Sequence, residues 1–189
     1  AALSWQKRDF GSDNVETGDA WDFQQGAKLE EFEQRDYDIS RERTGGGLNF
    51  DYKPDDLSSY YLRTLYSRYK DSETRNSTSL EFADPLAAGE LGDAEGSRKL
   101  KQREETQEIQ SYVLGGERMF GLWTLSGQAG YSRSSEDSPG HIANAEFAGI
   151  DDFTDTGFYD NDKPRPIVGQ AFYDPNNCSL DKVDWEKQK

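Results

Sequence analysis

Carboxylates are concentrated near the end of the chain, and oxygen ligands of this kind suit calcium. Calcium takes about 6–8 oxygen ligands, which a loop rich in aspartate supplies. The candidate ligands are Asp151, Asp152, Asp155, Asp160 and Asp162. Their spacing does not match the roughly 12-residue, helix-flanked calcium loop. We therefore expect no cofactor, with a solvated acidic loop as the default and weak calcium binding in that loop as the alternative.

Aromatic side chains recur in the stretches that are rich in turn-forming residues. Exposed rings beside polar groups suit stacking on sugars or on aromatic metal chelates. The candidate ligand-binding aromatics are Trp21, Phe23, Phe153, Phe158, Tyr159, Phe172 and Tyr173. The alternative is that these rings pack within their own loops, as side chains of compact surface loops do.

Groups for nucleophilic or zinc chemistry are scarce. The chain has one histidine, His141, and one cysteine, Cys178, which excludes a histidine cluster and a disulfide within the chain. We expect His141 to be solvated, and Cys178 either pairs with a cysteine elsewhere or stays a free thiol. No serine, histidine and aspartate arrangement has a supporting context, and no carboxylate pair stands out as acid and base. We therefore predict that the protein is not an enzyme.

The composition is typical of extended, two-faced structure rather than of an ordinary globular core. The 189 residues are 33% hydrophobic and 13% aromatic, and the formal net charge is −15. The apolar fraction is below the ~45–50% of a globular domain, whereas the aromatic content is too high for an acidic disordered chain. The acidic balance argues against nucleic-acid binding, which needs clustered lysine and arginine. No apolar run approaches the roughly 18 residues of a transmembrane helix.

Strands joined by short turns and long acidic loops account for this composition. Residues 123–132 alternate apolar and polar side chains with a period of two, which indicates a β-strand. We predict strands at about 1–8, 35–52, 59–75, 101–116 and 122–135, and the start of another near 180–189. Long loops are predicted at 9–34, 76–100 and 136–179, and most of the negative charge lies in these regions.

Alternation gives several predicted strands one apolar face. Those faces carry Leu3 and Trp5, then Leu48, Phe50 and Tyr52, then Leu62, Thr64 and Tyr66, and finally the odd positions of 123–131. Aromatic residues also cluster beside the two short turns, namely Tyr52, Tyr60, Tyr61, Phe120 and Trp123. Such rings either stabilise soluble hairpins or form the interfacial girdle of a membrane barrel.

Three features together favour the membrane interpretation: the short turns lie at one rim, the long loops lie at the other, and the strands are long and two-faced. A closed barrel pairs every backbone group without an edge, which hydrocarbon requires. The sequence therefore predicts an all-β fold, an antiparallel up-and-down transmembrane β-barrel segment with long extracellular loops and short periplasmic turns.

The strands are too few to close such a barrel, because the smallest transmembrane barrels have about 8 strands. We therefore interpret residues 1–189 as a partial β-barrel domain, an internal portion of a longer protein. An open sheet has unpaired edges that favour pairing with more chain. We accordingly predict neighbouring strands at both edges, beside Trp5 and beside the strand that ends near Ser135.

TonB-dependent receptors of Gram-negative outer membranes have a barrel domain that this sequence resembles. The resemblance is carried by residues 41–56, RERTGGGLNFDYKPDD, and residues 60–73, YYLRTLYSRYKDSE. Residues 3–14 are similar to a barrel strand entering an external loop, and 180–186 to the start of the next strand. The resemblance implies a barrel of about 22 strands with an N-terminal plug. A TonB box, a plug and a terminal barrel strand are not recognised in this sequence.

The resemblance implies part of an outer-membrane receptor that captures and imports a small nutrient with energy from TonB. The nutrient is an iron chelate, cobalamin or an oligosaccharide. Expected partners are the remaining barrel strands and plug, the TonB complex, the small-molecule ligand and outer-membrane lipid, with no nucleic acid. The expected location is the outer membrane of a Gram-negative bacterium. The alternative is a secreted or surface β-rich binding module, an adhesin or a carbohydrate-binding protein, without transport activity.

Overall fold

The computed structural model describes residues 1–24 and 26–188, and the side chains of residues 150–152 and 188 lie outside that description. The chain is all-β and antiparallel, which confirms the coarse fold class. The strands are β1 (Ala2–Glu16), β2 (Trp21–Asp22), β3 (Lys28–Gly47), β4 (Asn49–Asp55), β5 (Ser58–Leu86), β6 (Leu91–Phe120), β7 (Trp123–Tyr159), β8 (Arg165–Ile167) and β9 (Ser179–Gln188). Two single turns of 3-10 helix, Gln170–Tyr173 and Pro175–Asn177, precede β9. In the described part of the chain, no helix is long and apolar enough to cross a membrane.

The strands form one open sheet in the order β1-β3-β5-β6-β7-β8, and the sheet does not close into a barrel. β2 pairs with β3, β4 with β5, and β9 with β7. Two tight turns close the hairpins at one end. Asp55 Oδ1 accepts the backbone N–H of Leu57 in the first turn. Gly121 takes a φ of +61° in the second turn, a conformation that favours glycine.

The predicted long loops differ from the structure, because the strands continue far into them. β1 extends to Glu16, the 76–100 stretch contains only a short turn between Leu86 and Leu91, and β7 runs on to Tyr159. In parts of these extensions, such as residues 76–79, polar side chains occupy both faces, so the period-two hydrophobic pattern that marks a strand is missing there. Backbone pairing continues through them nevertheless, as in the register of Ser79 with Ser97.

The prediction of neighbouring strands at both edges does not hold for the described residues. β1 pairs only with β3, so its other edge is uncovered beside Trp5. Residues 123–137 of β7 pair only with β6, because β9 joins β7 from Ser138 onwards. The antiparallel sheet thus leaves two long edges with free backbone donors and acceptors.

The strand register sorts the side chains into two faces, since directly paired residues project to the same side of a sheet. Phe50, Leu62, Leu114 and Ala129 form one row across β4, β5, β6 and β7. We call their side face 1. The adjacent row is Asp51, Tyr61, Gly115 and Gln128, and we call its side face 2. The predicted apolar positions of all these strands fall on face 1.

An exposed apolar band occupies face 1 near the tight turns. Its members include Leu48, Phe50, Tyr52, Tyr60, Tyr112, Leu114, Phe120, Trp123, Leu125 and Tyr131, each at least a third exposed. Trp123 is 80% exposed and Leu114 62%. Farther along the same face the rows turn polar, as in the pairing of Asp9, Ser40, Ser72 and Glu104.

We call the end of the long hairpins opposite the two tight turns the tip. A buried cluster covers face 1 at the tip. It contains Ala20, Leu29, Phe32, Leu80, Phe82, Leu86, Ala94, Phe158 and Phe172. The segment after β7 reaches across to the first strand, where Lys163 Nζ lies 3.2 Å from Asp13 Oδ2. Face 1 therefore has two apolar regions, one buried by the chain's own segments and one left exposed.

Candidate ligand surface on the polar face

Face 2 carries a charged cluster at mid-strand, centred on the buried carboxylate of Asp71. Arg41 Nε donates to Asp71 Oδ1 at 2.8 Å, and Arg103 Nη2 donates to Oδ2 at 2.9 Å. The Tyr69 hydroxyl donates to Oδ1 at 3.2 Å. Three strands supply these groups, because Arg41 of β3 is paired with Asp71 of β5, and Arg103 of β6 is paired with Glu73, two residues further along β5.

Asp71 is held in its charged form by these neighbours. Burial alone would raise the pKa of its carboxyl group, but the hydrogen bond and the charge of Arg41 outweigh burial and hold the pKa below its ordinary value. The hydrogen bonds from Tyr69 and Arg103 act in the same direction. The cluster therefore gives face 2 a fixed arrangement of charges rather than a titrating acid at neutral pH.

Arginines on face 2 also lie over aromatic rings nearer the turns. Arg43 is 5.0 Å from the ring centroid of Tyr69, and Arg63 is 5.0 Å from that of Tyr61. The Tyr61 hydroxyl donates to Gln128 Oε1 at 3.0 Å. Face 2 thus presents guanidinium, hydroxyl and amide groups along its length, which are the groups that recognise polar small molecules.

At the tip, face 2 contains a concave pocket of about 430 Å³. Its ionic contacts include Arg35 Nε with Glu33 Oε1 at 2.7 Å and Lys99 with Glu146 at 3.6 Å. Arg35 also pairs with Glu16. Burial would raise the pKa of Glu33, but the hydrogen bond and the charge of Arg35 hold the pKa below its ordinary value.

One row of this pocket consists of glutamates alone. Glu31, Glu81 and Glu95 are paired directly across β3, β5 and β6 and are all exposed. Like charges in this arrangement destabilise the pairing. Among the side chains that the structure describes, no three acidic, histidine or cysteine groups are placed to hold a metal ion. The row is a solvated acidic surface in this structure.

Four of the candidate ligand-binding aromatics, Trp21, Phe153, Phe158 and Phe172, belong to or pack against the buried cluster at the tip. Phe158 and Phe172 are buried in the cluster, so their rings present no free surface. Trp21 packs edge-on against Phe158 with ring centroids 6.0 Å apart, and Phe153 packs against Phe172 at 5.8 Å. The exposed members are Phe23, Tyr159 and Tyr173. The ring of Phe158 packs against rings of other strands, namely Trp21, Phe32 and Phe82.

The calcium candidates are not brought together as a ligand set in the described part of the chain. Asp160 Oδ1 accepts the backbone N–H groups of Asp162 and Lys163, so it closes a local turn. Asp155 has a φ of +57°. The side chains of Asp151 and Asp152 lie outside the described residues.

His141 and Cys178 lie away from the charged cluster of face 2. The Nδ1 atom of His141 is 3.3 Å from the carbonyl oxygen of Pro139, and its Nε2 atom is 3.8 Å from Glu186. Cys178 is half-buried beside the tip cluster, with its Sγ atom 4.0 Å from Arg98 Nη1. The histidine ring thus contacts protein groups rather than standing free in solvent.

Sequence reasoning missed the charged groups of face 2, above all Arg41, Asp71 and Arg103. The missing signal was strand register, since these residues lie about 30 positions apart and meet only across three strands. Together they can hold a polar molecule by hydrogen bonds and charge. No family profile, no curated protein and no solved structure matches this chain.

Proposed function

We propose that the chain is part of an outer-membrane receptor that captures a small nutrient and imports it with TonB-supplied energy. The nutrient class is an iron chelate, cobalamin or an oligosaccharide, and the location is the outer membrane of a Gram-negative bacterium. In this proposal the sheet is a segment of a transmembrane barrel. Face 1 contacts lipid and face 2 lines the interior with the plug and the ligand.

The exposed apolar band of face 1 is the observation that carries the proposal. Trp123 and Tyr131 lie eight residues apart on this face, which is about 27 Å along a strand. Transmembrane barrels have an outward apolar band about 25 Å tall with aromatic residues at its borders. Tyr112 and Tyr131 form one aromatic row of the band, and Phe120 and Trp123 form the row at the turn.

The tip cluster strengthens this argument, because it shows what the same chain does with apolar side chains in a packed core. Phe32, Leu80 and Phe158 are almost completely buried there. A soluble sheet would leave the band of face 1 in water over several strands, and large exposed apolar patches mark interaction or membrane surfaces. Hydrocarbon contact accounts for the band without a second sheet.

The alternative is a secreted or surface binding module. The tip favours this alternative, because the chain's own segments bury the apolar cluster there. That module would need a partner layer over the apolar band in order to remain soluble. Ligand binding without transport would then be its function. The behaviour of the intact protein towards membranes discriminates between the two proposals.

Membrane fractionation of the full-length protein in a Gram-negative host tests the proposed function. We expect recovery in the outer-membrane fraction after alkaline carbonate washing, with extraction only by detergent, because the apolar band is in hydrocarbon. A soluble binding module of the same expression level is the control. Recovery in the periplasm or the medium as a detergent-independent, cooperatively melting protein would contradict the receptor proposal and support the alternative.

A further inference from the structure

The middle of face 2 holds two cations that face each other. Arg75 of β5 is paired directly with Lys101 of β6, and Tyr37 of β3 completes the row. Like charges directly opposite each other on neighbouring strands destabilise a sheet. Among the side chains that the structure describes, no carboxylate forms an ion pair with Arg75 or Lys101.

The neighbouring cations of face 2 do have acidic partners. Arg103 is 2.9 Å from Asp71 and 3.6 Å from Glu73. On the other side of the row, Lys99 pairs with Glu146, and Arg35 pairs with Glu33. Arg75 and Lys101 thus differ from these neighbours, because the described side chains give neither of them an ion-pair partner.

Two nitrogen donors at this position also lack acceptors. The Nε atoms of Arg75 and Arg103 are buried and have no hydrogen-bond partner within the described residues. A buried donor without an acceptor carries an uncompensated desolvation cost, so such donors are rare in folded proteins. An anion bound beside Arg75 would offset the repulsion from Lys101, and its oxygens would accept hydrogen bonds from the guanidinium.

We propose that Arg75 and Lys101 bind an anionic oxygen group of a small molecule, a carboxylate or a phosphate. The planar guanidinium donates two parallel hydrogen bonds to either group, and the ammonium adds a point charge from the adjacent strand. The proposal rests on the proposed function in taking face 2 as the ligand-facing surface. It does not require that face 1 contact lipid.

Equilibrium dialysis with citrate and with inorganic phosphate tests this site on the full-length protein in non-ionic detergent at low ionic strength. The variant is Arg75→Gln, and the matched control is Arg68→Gln, which removes the same charge from face 1 of the same strand. We expect Arg75→Gln to weaken anion binding by about tenfold or more. Arg68→Gln should retain the wild-type affinity. Tighter binding of citrate assigns the site to carboxylates, and tighter binding of phosphate assigns it to phosphates.

Lys101→Gln is the second variant, and it keeps the test decisive if Arg75→Gln fails to fold. Circular dichroism compares the fold of each variant with that of the wild type. The site is refuted if the folded wild type binds neither anion, or if Arg68→Gln and Lys101→Gln weaken binding equally. Anion binding by a protein that fractionates as soluble would overturn the receptor proposal alone and leave this site standing.

Discussion

Replacing Ala129 by arginine is expected to destabilise the membrane-inserted protein by about 2–4 kcal/mol. Ala129 lies on face 1, in the row of Phe50, Leu62 and Leu114. In the proposed barrel, an arginine there must place its guanidinium in hydrocarbon or distort the bilayer to reach water. Reversible guanidinium unfolding in phospholipid vesicles measures the change in the free energy of unfolding.

The adjacent residue provides the matched control. Gln128 is also exposed but projects from face 2, where it accepts a hydrogen bond from the Tyr61 hydroxyl. We expect Gln128→Arg to change the free energy of unfolding by less than about 1 kcal/mol, the typical value of an exposed polar contact. Equal effects of the two substitutions would contradict the assignment of face 1 to lipid.

Replacing Phe158 by alanine is expected to destabilise the tip by about 3–5 kcal/mol, the usual cost of removing a buried phenylalanine side chain. Phe158 is 0% exposed. Its ring centroid lies 6.0 Å from those of Trp21 and Phe82 and 6.2 Å from that of Phe32. The substitution leaves a cavity where β3, β5 and the end of β7 meet.

Hydrogen exchange of the backbone amides measures this change, because the tip can open without unfolding the rest of the sheet. We expect faster exchange in the segments around Leu29, Leu80 and Phe158, and unchanged exchange near the tight turns. Tyr159→Ala is the control, since the Tyr159 side chain is half exposed. If both variants exchange alike, Phe158 does not anchor the tip.

The faces of the strands near the tight turns could be predicted from the sequence, because one face is apolar and the other polar. The alternation of Trp123, Leu125, Ala129 and Tyr131 with small polar residues is sufficient to assign β7 near its start. The same reasoning failed for the strand lengths. Residues such as Ser77, Thr78 and Ser79 show no hydrophobic period, although they pair in register with β6.

The candidate surface of face 2 could not be predicted from spacing along the chain. Asp71 meets Arg41 and Arg103 only because the β3–β5 and β5–β6 registers place them side by side. The candidate aromatics, by contrast, were recognised as a group, but the sequence could not separate a buried ring such as Phe158 from an exposed one such as Phe23. Burial depends on which segments fold over the tip.

The proposed barrel requires that face 1 contact hydrocarbon while face 2 contacts water. Site-directed spin labelling of positions 124–131, in a Cys178→Ser background and in lipid vesicles, tests it most directly. We expect labels at 125, 127, 129 and 131 to be accessible to dissolved oxygen, and labels at 124, 126, 128 and 130 to be accessible to a water-soluble nickel complex. Equal accessibility to the nickel complex along the whole stretch, without a period of two, would contradict it.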